Sequence, residues 1–322
     1  MRRETGHPVY IQIMTAIPSA SRVLGPADTA AALPYPALVK ELARLLRDDT
    51  VHVPPRMVLS LPGGGSLFVM PAHDARVAIT KLITFTPANA GTNRPAIQGD
   101  VVVFDVATGA RALVLDGPTV TARRTAAVSA LAAQHLAPHL EGSLLIIGAG
   151  VQGRTHLDAF ADCLGVREVV IASRSQASAE ALARHARSRG LAARTTRDPD
   201  AALADCPLVV TCTPASGVVL RALPGPGHFI AAVGAFTPTM VELSPELCRH
   251  VGLRGRVVVD TGDATHEAGD LLQAGLEVSR FETLQAVVTS IAPGAALRPG
   301  PVLFKSCGWA GWDLAAARLG MA

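Results

Sequence analysis

Leu144-Leu145-Ile146-Ile147-Gly148-Ala149-Gly150-Val151-Gln152-Gly153-Arg154-Thr155-His156 decides how the chain folds. Four consecutive apolar residues run into Gly-x-Gly-x-x-Gly, and the residues that follow, through Ala161, read as a helix. Each glycine answers a separate steric demand. Gly148 permits the tight turn out of the strand, Gly150 lets a pyrophosphate approach the backbone, and Gly153 lets helix and strand pack closely. The helix that opens with Val151 and Gln152 then turns its free N–H groups toward the phosphates. The stretch therefore predicts a strand, a phosphate-binding turn and a helix.

Working toward the C-terminus, strand-like runs alternate with helical ones at 144–147, 168–172, 192–195, 208–212, 228–233 and 256–260. That alternation is the pattern of a doubly wound, Rossmann-type α/β sheet. The second strand ends Val169-Val170-Ile171-Ala172-Ser173-Arg174-Ser175. A site built for NAD places an acidic side chain here to hold the ribose hydroxyls. Ser173, Arg174 and Ser175 instead offer a cation and hydroxyls suited to a 2′-phosphate, unless Arg174 is merely a surface residue. NADPH is the expected cofactor, with NADH a weaker donor. Thr211-Cys212-Thr213-Pro214 ends the fourth strand, where such a sheet opens its crevice, and so places Thr211 and Thr213 beside the nucleotide. Cys212 reads as a packed thiol, since no triad-like partner accompanies it. Asp260, Asp263, His266, Glu267 and Asp270 lack metal-motif spacing and read as a solvated, acid-capped helix start, so no metal is expected.

Toward the N-terminus the texture changes. A strand is expected from Tyr10 to Met14, a helix from Tyr35 to Arg47 on the spacing of Leu38, Leu42, Leu45 and Leu46, and a strand from Ser66 to Met70. Arg56 stands at the head of Met57-Val58-Leu59, between Pro54-Pro55 and the turn Pro62-Gly63-Gly64-Gly65. This half reads as an α+β domain with antiparallel pairing. In the strand Arg76 to Phe85, two-residue alternation puts Val77, Ile79, Lys81, Ile83 and Phe85 on one face, so an ammonium projects from the more apolar side. Burying it costs free energy unless an anion pairs with it or its pKa falls; the alternative is a lysine snorkelling at a sheet edge. Asn89 lies in the loop that follows. From Thr119 to Leu131 a helix begins, with Thr119 or Thr121 as N-cap. Arg124 aligns with Val128 and Leu131 and points inward, whereas Arg123 is expected to face solvent. An inward guanidinium near a helix N-terminus makes a carboxylate receptor, or it pairs with an acid inside the domain.

Composition narrows the class further. The 322 residues are too many for one small core and suggest two domains, and 49% hydrophobic against 17% charged residues excludes disorder. A net charge of +3 without a dense Lys/Arg tract argues against a nucleic-acid partner. No run reaches membrane-spanning length, and the N-terminus lacks a signal-peptide core. The five cysteines, odd in number and without C-x-x-C spacing, point to reduced thiols in the cytoplasm.

Arg56, Met70-Pro71-Ala72, Lys81, Asn89, Thr121-Ala122-Arg123-Arg124-Thr125-Ala126-Ala127, Gly148-Ala149-Gly150-Val151-Gln152-Gly153, Val233-Gly234-Ala235, Glu242-Leu243, Gly269-Asp270 and Phe304-Lys305-Ser306 together resemble the ornithine cyclodeaminase/mu-crystallin family over nearly the whole chain. The resemblance implies a homodimer joined through sheet packing of the first domain. It also implies a substrate-binding and dimerisation domain over 1–120, completed by 300–322, and a Rossmann NADP(H) domain over 121–299. By the same resemblance, Arg56 and Arg124 hold a substrate carboxylate, Lys81 lies beside the reacting carbon and nitrogen, Asn89 lines the substrate, and Gly234 and Lys305 face the nucleotide. Cyclodeaminases carry an acid where this chain has Phe236, in Gly234-Ala235-Phe236-Thr237-Pro238. Phenylalanine can neither move a proton nor pair with an ammonium, and the apolar wall resembles the ketimine-reductase branch. That branch reduces the cyclic imino acids Δ1-pyrroline-2-carboxylate and Δ1-piperideine-2-carboxylate to L-proline and L-pipecolate. Rival expectations are an ornithine cyclodeaminase, an amino-acid dehydrogenase, or a mu-crystallin-like binding protein.

Overall fold

Two sheets of different character organise the chain, seen in a computed structural model that describes residues 21–322 except 90, 91, 93, 215, 291 and 293–298. The strand expected from Tyr10 to Met14 lies outside the described residues. The first half comprises β1 (Arg22–Leu24), α1 (Pro26–Ala32), α2 (Tyr35–Leu45), β2 (Met57–Ser60), β3 (Ser66–His73), β4 (Val77–Phe85), β5 (Ile97–Asp105) and β6 (Arg111–Asp116). Its sheet runs β1-β6-β5-β4-β3-β2, antiparallel except for β1 beside β6. In β4 the alternation holds: Val77, Ile79, Lys81 and Ile83 are buried while Leu82 is exposed. Lys81 sits mid-sheet, opposite Met70 on one side and Val101 on the other, and does not snorkel at an edge.

The helix α3 (Gly117–Leu136) joins the halves, and the expected division between 120 and 121 falls inside it. Its N-cap is Asp116, not Thr119 or Thr121. The Asp116 carboxylate accepts the Thr119 N–H at 2.8 Å, and a charged acceptor suits the helix start better than a hydroxyl. Arg124 is buried as expected. Arg123 is not given over to solvent: its Nε donates to Leu33 O at 2.8 Å and its guanidinium lies 3.9 Å from the Tyr35 ring centre.

The second half comprises β7 (Leu144–Ile147), α4 (Val151–Leu164), β8 (Glu168–Ala172), α5 (Gln176–Ser188), β9 (Ala192–Thr196), α6 (Pro199–Ala202), β10 (Leu208–Thr211), β11 (Ser216–Leu220), β12 (Phe229–Ala232), β13 (Val241–Leu243), α7 (Pro245–Arg254), β14 (Arg256–Val259), α8 (Ala264–Glu267), α9 (Gly269–Gln273), β15 (Glu282–Thr283), α10 (Leu284–Ser290), β16 (Val302–Lys305) and α11 (Ala310–Met321). Eight of these strands form a wholly parallel sheet in the order β9-β8-β7-β10-β12-β16-β14-β15, while β11 and β13 pair separately. All six expected strands are present, in doubly wound order. The central ones, β7, β10 and β12, are fully buried because helices cover both faces of such a sheet, while β9, Ala-Ala-Arg-Thr-Thr, is the partly exposed edge.

One expectation is corrected. Residues 302–305 do not return to the first domain; they insert as β16 between β12 and β14, with all four residues buried. Only α11 crosses back, packing against β3, β4, α2 and α3. It is apolar on nearly every side, as a helix enclosed by other elements must be. One continuous core joins the inner face of the first sheet to one face of the parallel sheet, and a second core fills the opposite face. Among the described residues no helix is long and apolar enough to cross a membrane.

Candidate active site

A doubly wound sheet holds its ligands at the C-terminal ends of its strands, and here the turn after β16 brings Gly308 beside Arg124 of α3. On the nucleotide side, Gly148 adopts φ +121° and a Cβ there would lie 2.7 Å from Cys212 O. A Cβ on Gly153 would lie 2.0 Å from Gly148 O, so the helix and the turn touch backbone to backbone. Gly150, by contrast, faces open space and caps α4 with no side-chain hydrogen bond, and Val151 behind it is exposed. The first N–H groups of α4 therefore point into a cradle that any side chain at 150 would fill, which fits a pyrophosphate. Gln152 is half-buried beside it.

At the end of β8, Ser173 is half-buried and accepts the Ser175 N–H at 3.3 Å, while Ser175 caps α5 by accepting the Ser178 N–H at 3.2 Å. Arg174 is exposed between them, and no acid occupies 172–175. Thr211 and Thr213 do not stand alone. Glu242 accepts the Thr211 hydroxyl at 2.9 Å, the Thr213 N–H at 2.6 Å and hydroxyl at 2.9 Å, and the Gly234 N–H at 2.7 Å. One buried carboxylate thus ties together the ends of β10 and β12. Burial pushes its pKa up, opposed by the Lys305 ammonium. Lys305 is fully buried with its Nζ 2.8 Å from Asp270 Oδ2, so its charge is spent beneath the crevice and not on its surface. Cys212 directs its thiol to Gly148 O at 3.3 Å, as a packed residue.

On the catalytic side, Lys81 Nζ lies 3.1 Å and Arg124 Nε 3.4 Å from the same oxygen, Oδ1 of Asp313 in α11. All three side chains are buried. Burial pushes the Lys81 ammonium down to about 8; Asp313 opposes this, and the charges of Arg124 and Arg56 add to it. Arg56, half-buried, is hydrogen-bonded to Glu267 of α8, joining the two halves of the chain. Burial raises the Glu267 pKa, and Arg56 partly offsets the rise. Three cations and two carboxylates give the cluster a formal charge of +1, a complement to one substrate carboxylate.

The structure brings Lys81, Arg124 and Arg56 into one another's fields. Asn89 is not drawn into that cluster: its Nδ2 donates to Pro95 O at 3.0 Å inside its own loop. Phe236 is half-buried and packs on the second core. The acidic group at 260–270 is a solvated helix start only at Asp263 and His266, exposed at the head of α8. Asp260 Oδ2 accepts the Ser306 hydroxyl and the Cys307 and Gly308 N–H groups, each at 2.8 Å, and Asp270 is equally buried. This pins the turn between β16 and α11, where Gly308, at φ +96°, passes so close to Arg124 that a Cβ would lie 3.4 Å from its guanidinium.

None of Asp313, Glu267, Asp260 and Glu242 was assigned to the site by the sequence reading, which took Asp260 and Glu267 as a solvated helix start and Glu242 only as part of the resemblance. Asp313 alone had a readable signal, a single acid inside the apolar run Ala310-Gly311-Trp312-Asp313-Leu314-Ala315-Ala316-Ala317, where burial demands a cationic partner.

A family model described as the ornithine cyclodeaminase/mu-crystallin family matches residues 27–320. Delta(1)-pyrroline-2-carboxylate reductase 1 of Burkholderia multivorans is 40% identical over 313 residues, 95% of this chain and 96% of that protein. Ketimine reductase mu-crystallin of Mus musculus is 35% identical over 259 residues, 79% of each chain. In fold, the chain is similar to Thermococcus litoralis Delta(1)-pyrroline-2-carboxylate reductase in complex with NADH and L-proline, with a TM-score of 0.85 at 23% identity over 93% of this chain and 96% of that one.

Proposed function

Because the chain belongs to the ornithine cyclodeaminase/mu-crystallin family, we propose that it is an NADPH-dependent oxidoreductase that reduces cyclic imino acids, Δ1-pyrroline-2-carboxylate to L-proline or Δ1-piperideine-2-carboxylate to L-pipecolate. The observation that carries this reading is the buried junction of Lys81 and Arg124, with Arg56 in its field, in a chain that also carries an open glycine turn at the head of α4.

The nicotinamide group supplies hydride to C2 of the imine when bound. Gly148, Gly150, Gly153 and the N-terminus of α4 would hold its pyrophosphate, Thr211, Thr213 and Gly234 would border it, and Arg174 with Ser173 and Ser175 would receive a 2′-phosphate. Arg124 and Arg56 bind the substrate carboxylate, and Arg56 turns from Glu267 to do so. Fixing the carboxylate fixes the plane of the C=N bond and makes the reaction effectively unimolecular. Lys81 holds a proton for the imine nitrogen, and a protonated imine is the better electrophile. Phe236 offers no carboxylate for deamination, which favours reduction over cyclodeamination.

The exposed apolar residues Met57, Leu59 and Leu82 share the outer face of the first sheet by register, and we read this face as the seat of a second copy in a homodimer. The five free thiols fit a cytoplasmic setting.

The test follows NADPH and NADH consumption with five- and six-membered cyclic imino acids, beside ammonia release from ornithine. Reduction without ammonia release is expected; ammonia release without net NADPH consumption would replace this reading with cyclodeamination. Arg174→Ala should raise the KM for NADPH about 10–100-fold, by loss of a charge-assisted phosphate contact, and leave that for NADH nearly unchanged.

A further inference from the structure

We propose that Asp313 is a positioning residue of this site, setting the place and charge state of Lys81 and the orientation of Arg124 from the helix opposite. The proposal rests on reading Lys81 and Arg124 as the reacting pocket. Four observations support it. Asp313 Oδ1 is shared by the two cations, accepting a hydrogen bond from Lys81 Nζ at 3.1 Å and meeting Arg124 Nε at 3.4 Å as an ion pair. Its other oxygen is buried and has no hydrogen-bond partner among the described residues. The chain's structural carboxylates behave differently: Asp116, Asp260 and Asp270 each accept backbone N–H groups. Asp313 caps nothing, since α11 has no side-chain cap hydrogen bond. Finally, α11 is held in place by the turn that Asp260 pins, so the carboxylate is already aimed before any ligand binds.

The charged groups facing Lys81 are Asp313 from α11, Arg124 from α3, and Arg56 ahead of β2. Asp313 is the only anion among these three. Burial and two like charges drive the ammonium toward neutrality, and Asp313 opposes them. Without it, Lys81 loses its proton at neutral pH and the pocket loses its acid.

The chain has only three lysines, Lys40, Lys81 and Lys305, of which Lys40 is exposed. Lysine labelled with 13C at Cε therefore gives three signals, assigned with Lys40→Arg and Lys81→Met, and their pH titration reads Lys81 directly without substrate. In the unaltered protein Lys81 should titrate near 8. In Asp313→Asn, which keeps the shape and removes the charge, it should titrate lower by about one unit or more, a tenfold loss of proton affinity. Lys305 should not move. The alkaline limb of kcat should shift to lower pH in parallel, and the substrate KM should rise as Arg124 loosens. A Lys81 titration that stays within about 0.3 unit of the parent overturns the proposal. If Asp313→Asn does not fold, Asp313→Ser is titrated instead, and collapse of both assigns Asp313 to the fold and also overturns it. Absence of imine reduction in the unaltered protein would remove the functional reading alone, because the lysine titration requires no turnover.

Discussion

Lys81 and Arg124 were legible as candidate site residues because each breaks a periodic apolar face, one with the two-residue period of a strand and the other with the helical one. Their partner was not. Asp313 is 232 residues from Lys81 along the chain, and no local pattern links them. Glu267 misled for the same reason: its neighbours in sequence are acidic and polar, while its partner in space, Arg56, is 211 residues away. Replacing the ammonium tests the assignment. Lys81→Met should lower kcat by about 10²–10⁴-fold, the usual worth of a positioned acid or base. NADPH affinity, measured by quenching of protein fluorescence, should stay nearly constant. The pH dependence follows from the lowered pKa: turnover should be level below neutrality and fall as pH rises through about 8, where the ammonium is lost. Stability should run the other way. The folded chain holds this proton less tightly than the unfolded one, so a charged Lys81 costs stability below 8, and chemical denaturation should show that cost fading between 8 and 10.5.

At the level of elements, six strands of the nucleotide half were readable because most are short apolar runs bounded by Gly, Pro or polar turns. Their order followed from the alternation with helices. β16 escaped because it follows β14 only after three intervening helices and a further strand, yet returns to the place beside it, a crossing that composition does not encode. The turn after β16 depends on one side chain. Asp260→Ala would strip acceptors from the Cys307 and Gly308 N–H groups and the Ser306 hydroxyl, a loss of about 3 kcal/mol or more where those groups stay dry. Thermal melting should fall by several degrees. The substrate KM should rise as well, because Gly308 and α11 together frame Arg124.

For the whole molecule, the outer face of the first sheet fixes the expected assembly. Met57 and Leu59 of β2 and Leu82 of β4 remain exposed at 57%, 46% and 43%, on the face opposite Lys81. Light scattering should give a particle of twice the 33.3 kDa chain, and Leu59→Glu should return it toward the single-chain mass. A single-chain mass for the unaltered protein would leave that face without its partner.

The passage of the chain from β16 through the Asp260-held turn into α11 has a practical consequence. With α3 also lodged against both sheets, rotation of one half on the other would have to tear a strand from the middle of a sheet or a helix from a core. Ligand admission then falls to side chains, above all the parting of Arg56 from Glu267. Crystals grown without ligand should accordingly tolerate soaking with L-proline, filling the cleft without cracking or a change of cell.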